Sequence, residues 1–359
     1  MAQVLISLIS DQTIPNVLFI KEYENKIDRY IFVTTKRMEQ QGKLSWILNA
    51  TGIQEEQYQK AVVVEDELIS IDEELNRLEL NREDEYILNL TGGTKIMSIG
   101  VYNYFLPRNS EIFYIPIGKN ISRKIFPPVR EREFAIAYRT DLMTYLTSYG
   151  IAVVNPNEIH HLSKSEVFTN TFFKRNYSNN RELTRLFYLK NDTQRERFHK
   201  AEIPTLFEWL EKIRFPFESK DNLTAKETFY LSGGWLEEYT YTVIKNLLQL
   251  PDAAIGLNVK IKRQNVSNEF DVMFVLDNTI YVLECKTGLT RKDLYEETVY
   301  KLAALRKDFG LFVNSYIVTM TEVRSTFWKD RAALFNIQLI DNLKNKIGLE
   351  RFEKTFKKQ

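Results

Sequence analysis

A chain of 359 residues is long enough for two or three domains with cores of their own. Its 49 basic and 48 acidic side chains nearly cancel, which excludes a global field for recruiting nucleic acid and leaves that task to a local patch. One cysteine, Cys285, and three histidines exclude a disulfide framework and a zinc cluster and fit a reducing, cytoplasmic setting; "MAQVLISLIS" has no basic flank, and nowhere do about 18 apolar residues follow one another, so no signal peptide or membrane span is expected.

From residue 4 to about 125, the β-branched runs "VLISLIS", "YIFVTT", "KAVVVED", "EYILNLT" and "EIFYIPIG" alternate with amphipathic segments. This alternation predicts an α/β domain over residues 1–140, built on a parallel sheet. Polar residues gather just after the strands, at Ser10 to Thr13, Thr34 to Lys36, Glu65-Asp66 and Thr91 to Lys95. In open α/β sheets that carboxyl edge binds ligands. "YILNLTGGTKIMSIG" reads as a strand, a Thr91-Gly92-Gly93-Thr94-Lys95 loop and a helix with free backbone N–H groups. Two glycines let a ligand approach the backbone, and the helix dipole with Lys95 favours a phosphate or a polar ribose edge. The same glycines would also serve a plain tight turn. Neither GxxxxGK[ST] nor GxGxxG occurs, so ordinary triphosphate or dinucleotide binding is not supported.

Residues 126 to about 150 open on Pro127-Pro128, and "REFAIAYRTDLMTYLTSYG" predicts a joining helix. Residues 141–225 form a polar, broken connecting segment, with "NYSNNREL" and "KNDTQRERF" as loops or short helices. Over residues 226–359 a helix after Gly233, a hairpin, a helix at about 290–308 and the strand "LFVNSYIVT" predict a second α/β domain.

The hairpin, "EFDVMFVLDNTIYVLECKTG", carries acids and a lysine among its valines. Asp277-Asn278 suit a two-residue turn, which sets Leu276 opposite Thr279, Asp271 opposite Glu284 and Glu269 opposite Lys286. Paired Cβ atoms lie about 4.5–5.5 Å apart, so two carboxylates are forced together and something must offset their repulsion. A hard divalent cation does so through carboxylate and water oxygens. The competing reading is a solvated outer face with a Glu269–Lys286 pair, against which the interleaved Met273, Val275, Ile280 and Val282 argue.

"LNLTGGTKIMSIG" resembles the signature loop of CARF domains, the ligand-sensing Rossmann-like modules of type III CRISPR systems, and "SDQTIPN" and "TTKRM" sit where that family's first two ligand loops fall. The resemblance covers residues 1–140. It implies a homodimer that binds a cyclic oligoadenylate across its two-fold axis, cyclic tetra-adenylate being the first choice of ring. The matching positions are Ser10, Gln12, Thr13, Thr34, Thr91, Gly92, Gly93, Thr94 and Lys95.

"GGWLEEYTYTVI", "NEFDVMFV" and "LECKTG" resemble the PD-(D/E)xK nuclease superfamily over about residues 230–320, without the proline that often precedes the aspartate. The resemblance implies a restriction-endonuclease-like domain whose catalytic residues are Glu237, Asp271, Glu284 and Lys286; spacing does not choose between Glu237 and Glu238. In that scheme Asp271, Glu284 and the Cys285 backbone carbonyl hold one or two Mg²⁺ or Mn²⁺ ions, while Lys286 orients or deprotonates a water. The Cys285 thiol, on the other hairpin face, is read as a buried small hydrophobe. Lys301 matches a helix lysine of such nucleases and reads equally well as a solvated helix face. Lys260, Lys262, Arg263, Arg291, Lys292, Arg306 and Lys307 are candidates for a phosphate-gripping patch.

The pairing of the two resemblances implies a cyclic-oligoadenylate-activated endonuclease of antiviral defence that cleaves DNA, RNA or both. The alternative is a CARF sensor whose C-terminal domain binds nucleic acid without cleaving it, as a regulator does. A CARF ribonuclease with an Arg-x₄₋₆-His motif is disfavoured, because Arg195 to His199 has three residues between.

Overall fold

The structure is a computed structural model that describes residues 1–78, 80–154, 166–174, 198–263, 266–289, 292–305 and 308–357. Five strands, β1 (Gln3–Leu8), β2 (Arg29–Thr35), β3 (Tyr58–Val63), β4 (Glu85–Asn89) and β5 (Ser110–Tyr114), form a parallel sheet in the order β3-β2-β1-β4-β5. β6 (Ile121–Phe126) and β7 (Glu133–Ala135) extend it antiparallel. Successive side chains of β1 enter opposite cores, as strand geometry requires. Val4, Ile6 and Leu8 pack with Ile71, Met97 and Val101 of the Leu68–Asn76 and Lys95–Phe105 helices. Leu5 packs with Val17, Phe19 and Ile47 of the Ile14–Tyr23 and Lys43–Thr51 helices. Coverage on both faces explains why these strands read as continuous apolar runs.

The joining helix predicted over residues 131–149 is shorter than its pattern suggests. Glu133–Ala135 pair with β6 instead, and the helix spans Leu142–Ser148. Asp141 sets its start, because its side chain accepts the Thr144 N–H at 2.6 Å, a helix N-cap.

The second sheet runs in the order β15-β14-β13-β12-β11-β8, built from β8 (Ala152–Val153), β11 (Ile255–Arg263), β12 (Val266–Leu276), β13 (Thr279–Lys286), β14 (Val313–Thr319) and β15 (Ile337–Ile340). β9 (Phe198–His199) and β10 (Asn222–Leu223) pair separately. The hairpin has the expected turn: Asp277 and Asn278 stand at φ 47° and 60°, and Leu276 pairs with Thr279. β13, β14 and β15 are mutually parallel. One face packs on the Trp235–Leu248 helix together with Phe172, Leu206 and Phe207 from the connecting segment; the other packs on the Leu142–Ser148 and Lys292–Leu305 helices. Residues 175–197, which include "NYSNNREL" and nearly all of "KNDTQRERF", lie outside the described residues.

The sheets are joined by direct contacts. Ile14 and Leu18 of the first domain enter the core beneath the second sheet. The hairpin turn is gripped from the first domain: Thr140 N–H donates to Asn278 Oδ1 at 2.8 Å, and Arg139 meets Asp277 at 2.9 Å.

Candidate functional site

The hairpin ladder runs in the expected register up to Val272–Leu283 and stops before Asp271 and Glu284. Asp271 occupies the gap, its Oδ2 accepting the Cys285 N–H at 2.6 Å. Across β12 the pairing with β11 also skips this position, and Asn258, the residue that would face Asp271, stands at φ 52°. The alternation of faces reverses there. Leu257 and Val272 pack in one core, and Val259 and Phe270 in the other. A local twist thus pries the hairpin open at the acids.

Five side chains from four elements meet at this opening. Lys286 Nζ lies 3.1 Å from Glu284 Oε2 and 3.4 Å from Asp271 Oδ2, so both carboxylates reach one side of the hairpin. Lys301, from the Lys292–Leu305 helix, donates to Glu284 Oε1 at 2.5 Å and to the Glu269 carbonyl, and its ammonium sits 4.7 Å from the Phe270 ring centre. It is therefore turned into the cleft. Glu237, from the Trp235–Leu248 helix, is buried, and its Oε2 has no hydrogen-bond partner. Glu238 turns away to accept from Thr169 at 3.1 Å. Of the two glutamates that spacing left open, Glu237 feels the charges of Asp271 and Glu284.

Burial, then the Asp271 charge, pushes the Glu237 carboxyl well above the usual carboxylate range, and the same two causes raise Glu284. Burial alone would lower Lys286, but the charges of Asp271, Glu284 and Glu237 outweigh it and hold the ammonium firmly protonated. The Cys285 thiol is buried on the opposite face, 3.5 Å from Thr240 Oγ1, and burial pushes its ionisation far up, so it behaves as a small hydrophobe. Among the described residues no three His, Cys, Asp or Glu side chains are close enough to hold a metal ion as they stand; the two lysines lie against the acids instead. The donor chemistry still suits a hard divalent cation, since the acids offer oxygen ligands and Glu237 Oε2 is buried and unsatisfied.

The expected basic patch divides. Lys260 lies 4.0 Å from Glu269, and Lys262 and Lys292 are exposed. Arg263 is paired with Asp308 and stacked over Trp46 of the first domain. Arg291, Arg306 and Lys307 lie outside the described residues. Glu269 faces Lys260 rather than Lys286 because beyond the opening β12 follows β11.

At the carboxyl edge of the first sheet a cavity of about 350 Å³ is lined by Ser10, Asp11, Gln12, Arg37, Glu65, Gly93 and Thr94, with Leu311 of the second domain. Gly92 is required there, because a Cβ would fall 2.3 Å from the Leu8 carbonyl oxygen, and Gly93 stands at φ +74°. Thr94 caps the Lys95–Phe105 helix and donates to the Glu65 carbonyl at 2.6 Å, leaving Lys95 exposed on the first turn. Other expected residues serve the loops instead. Thr13 is fully buried at the start of the Ile14–Tyr23 helix. Thr34 is buried and donates to Glu39 at 3.0 Å, and Thr91 accepts the Ile115 N–H at 2.7 Å. Arg37 and Asp11 were not among the expected residues. Arg37 lies 4.0 Å from Asp11 and 3.7 Å from Glu65 with its side chain 56 % exposed. Its signal was its place in "TTKRM", just past β2.

A parallel α/β sheet with a polar cavity at its carboxyl edge is thus joined to a second sheet opened around acids and lysines. Residues 4–145 match the family model of the Card1 CARF domain, and residues 224–348 match that of the Card1-like endonuclease domain. Together the matches span well over half of the sequence, and the chain belongs to the family that joins these two domains. Among solved structures it is similar to the protein VC1899 from Vibrio cholerae, at 18% identity and TM-score 0.79 over 99% of this chain and 98% of that one. It is also similar to Can2 from Sulfobacillus thermosulfidooxidans, solved in complex with cyclic tetra-adenylate, at 21% identity and TM-score 0.74 over 98% and 99% of the two chains. A type III CRISPR defence DNA nuclease activated by cyclic oligoadenylate aligns at 16% identity and TM-score 0.57, over 89% of this chain and 46% of that one. At such identities the likeness is one of fold. No curated protein matches the chain. Among the described residues no helix is long and apolar enough to cross a membrane.

Proposed function

We propose that the protein is a cytoplasmic, homodimeric nuclease of type III CRISPR antiviral defence, switched on by a cyclic oligoadenylate and dependent on Mg²⁺ or Mn²⁺. The observation that carries this is the convergence of Glu237, Asp271, Glu284, Lys286 and Lys301 in one buried opening of the second sheet. Their order along the chain agrees with the PD-(D/E)xK pattern. A pure nucleic-acid binder has no use for buried acids among the lysines that would meet a phosphate. Asp271 and Glu284, with Glu237 behind them, would hold the cation, which when bound neutralises the phosphate and acidifies a water. Lys286, held protonated by its acidic neighbours, orients that water and stabilises developing negative charge rather than accepting the proton. Lys301 holds Glu284 in place.

The ligand is assigned to the cavity at the first sheet's edge, where Thr94 and Arg37 offer a helix N-terminus and positive charge to a phosphate-bearing ring and Lys95 stands exposed on the next residue. Can2, of the same fold and length, is known with cyclic tetra-adenylate, which makes that ring the first to try. The test is incubation with Mg²⁺ or Mn²⁺, labelled DNA and RNA, and each cyclic oligoadenylate in turn. Cleavage that needs both metal and ring is expected. Binding of nucleic acid without cleavage in every combination would leave the regulator reading standing.

A further inference from the structure

Gln12 was expected to face the ligand, yet its side-chain carbonyl is spent on the second domain. Gln12 Oε1 accepts the Leu311 backbone N–H at 3.1 Å and lies 3.4 Å from the Tyr149 hydroxyl. Burial pushes the Tyr149 phenol far up, so it stays a proton donor at any working pH. The segment around Leu311 is tightly held from the same side. Tyr145 donates to the Phe309 carbonyl at 3.1 Å. Gly310 stands at φ +92°, and a Cβ there would fall 2.3 Å from the Tyr149 hydroxyl and 3.0 Å from Gln12 Oε1.

A second chain of contacts reaches the same segment from the neighbouring residue. Asp11 pairs with Lys43 at 3.4 Å, and the Lys43 ammonium lies over the Trp46 ring at 4.7 Å. The Arg263 guanidinium lies 5.6 Å from that ring and pairs with Asp308. Residues 308–311 therefore receive both chains, from Asp11 and from Gln12, and Leu311 itself lines the ligand cavity beside them. In sequence the segment stands between the helix that carries Lys301 and β14, which pairs with Glu284 and Lys286 of β13.

We propose that Gln12 is a positioning residue: it couples the ligand edge to residues 308–311, and through them to the Lys301 helix and to β13. This rests on the function proposed above. A ring that fills the cavity touches the Ser10–Gln12 loop and Leu311 together, so the cavity's occupancy and the segment's position are one equilibrium. Coupling carried in this way is a free energy that truncating the link reduces.

The experiment compares wild type, Gln12→Ala, Gln12→Glu and Gly310→Ala. Hydrogen exchange of the ligand-free proteins reads the link directly: the Leu311 amide should exchange faster in Gln12→Ala than in wild type and Gln12→Glu, whose carboxylate keeps the acceptor. In Gln12→Ala the ratio of ligand-stimulated to unstimulated cleavage should fall by about three- to tenfold, the weight of one neutral hydrogen bond, and calorimetry with cyclic tetra-adenylate should show an affinity loss no larger than about that factor, as linkage requires. Gln12→Glu should restore the ratio once the ring is saturating, although its carboxylate in the cavity lowers affinity for the anionic ring. Gly310→Ala, which reaches neither the acids nor the ring, should lower it as well. An affinity loss well beyond about tenfold in Gln12→Ala would make the residue chiefly a ligand contact and overturn the proposal, as would unchanged Leu311 exchange or an unchanged ratio. If wild type answers to no cyclic oligoadenylate, the sensor–nuclease reading falls, and the Leu311 exchange alone still decides whether Gln12 holds the segment.

Discussion

The edge of the first sheet and the opening in the second keep their charges in opposite ways. Asp11 and Glu65 sit on loops and Arg37 on the short Lys36–Gln40 helix, with side chains 55 %, 37 % and 56 % exposed, whereas Asp271 and Glu284 sit on strands at 13 % and 2 %. Solvent screens the first group, so its pairs contribute little to stability and are free to rearrange around a ligand. The second group is desolvated, its members shift one another's ionisation, and an error of placement there is costly. A sensor needs groups that move, and a hydrolytic centre needs groups that do not.

The comparison breaks most sharply if the acids prove dispensable. Glu284→Ala and Lys286→Ala should each lower cleavage by about a thousandfold or more while calorimetry still finds wild-type ligand binding, and EDTA should silence the wild type. Near wild-type cleavage by either variant would remove the assignment of the centre. Lys301→Met tests the next level. It removes a charged hydrogen bond to Glu284, worth about 1.5–3 kcal/mol, so a loss of about ten- to a hundredfold in kcat is expected with ligand affinity intact. A solvated lysine would give no loss.

At the edge the expected effect is smaller. Lys95→Glu puts an anion on the first helical turn, a placement that suits the helix N-terminus itself but repels a phosphate-bearing ring at the neighbouring cavity, at a cost to ligand binding of about 1 kcal/mol or a little more. Ligand binding and ligand-stimulated cleavage should weaken together by about tenfold, with unstimulated cleavage at its wild-type level. Titration calorimetry beside a cleavage assay reads both, and a variant that binds and responds normally would move the ligand elsewhere.

The two regions also differed in how plainly the sequence announced them. Asp277-Asn278 and the flanking alternation gave the hairpin turn and register directly, because both are local. What lay outside that arithmetic was the twist at Asn258, a residue on another strand that reverses the faces and opens the hairpin at Asp271. Glu237 and Glu238 were likewise inseparable by spacing, since the choice depends on Thr169 some seventy positions away. At the edge the loops follow the strands as expected, and Ser10, Gln12, Gly93 and Thr94 line the cavity, but Thr13, Thr34, Thr91 and Lys95 are not in its lining. Thr34 and Thr91 are consumed by Glu39 and Ile115, and Gln12 by a partner 299 residues further on. The Glu133–Ala135 strand was misjudged for the same reason: its apolar residues fit a helix, and only the waiting edge of β6 makes them a strand.

The finest test of the contrast lies in Glu237, whose buried carboxyl is pushed up first by desolvation and then by Asp271. In the unfolded chain it ionises near the ordinary glutamate value of about 4.3. The folded protein holds its proton to higher pH, so it binds more protons than the unfolded chain, and the acid's contribution to stability falls as pH rises above that value. Glu237→Gln lacks this loss. Without metal, the variant should therefore melt at a higher temperature than wild type at pH 8, and the gap should close steadily as pH falls toward 4. Added Mg²⁺ should reverse the order, because wild type alone gains the third carboxylate for the ion. Scanning calorimetry across pH with and without Mg²⁺ reads both effects. A metal-free variant no more stable than wild type at pH 8 would mean that Glu237 is as well solvated as the acids of the sensor edge.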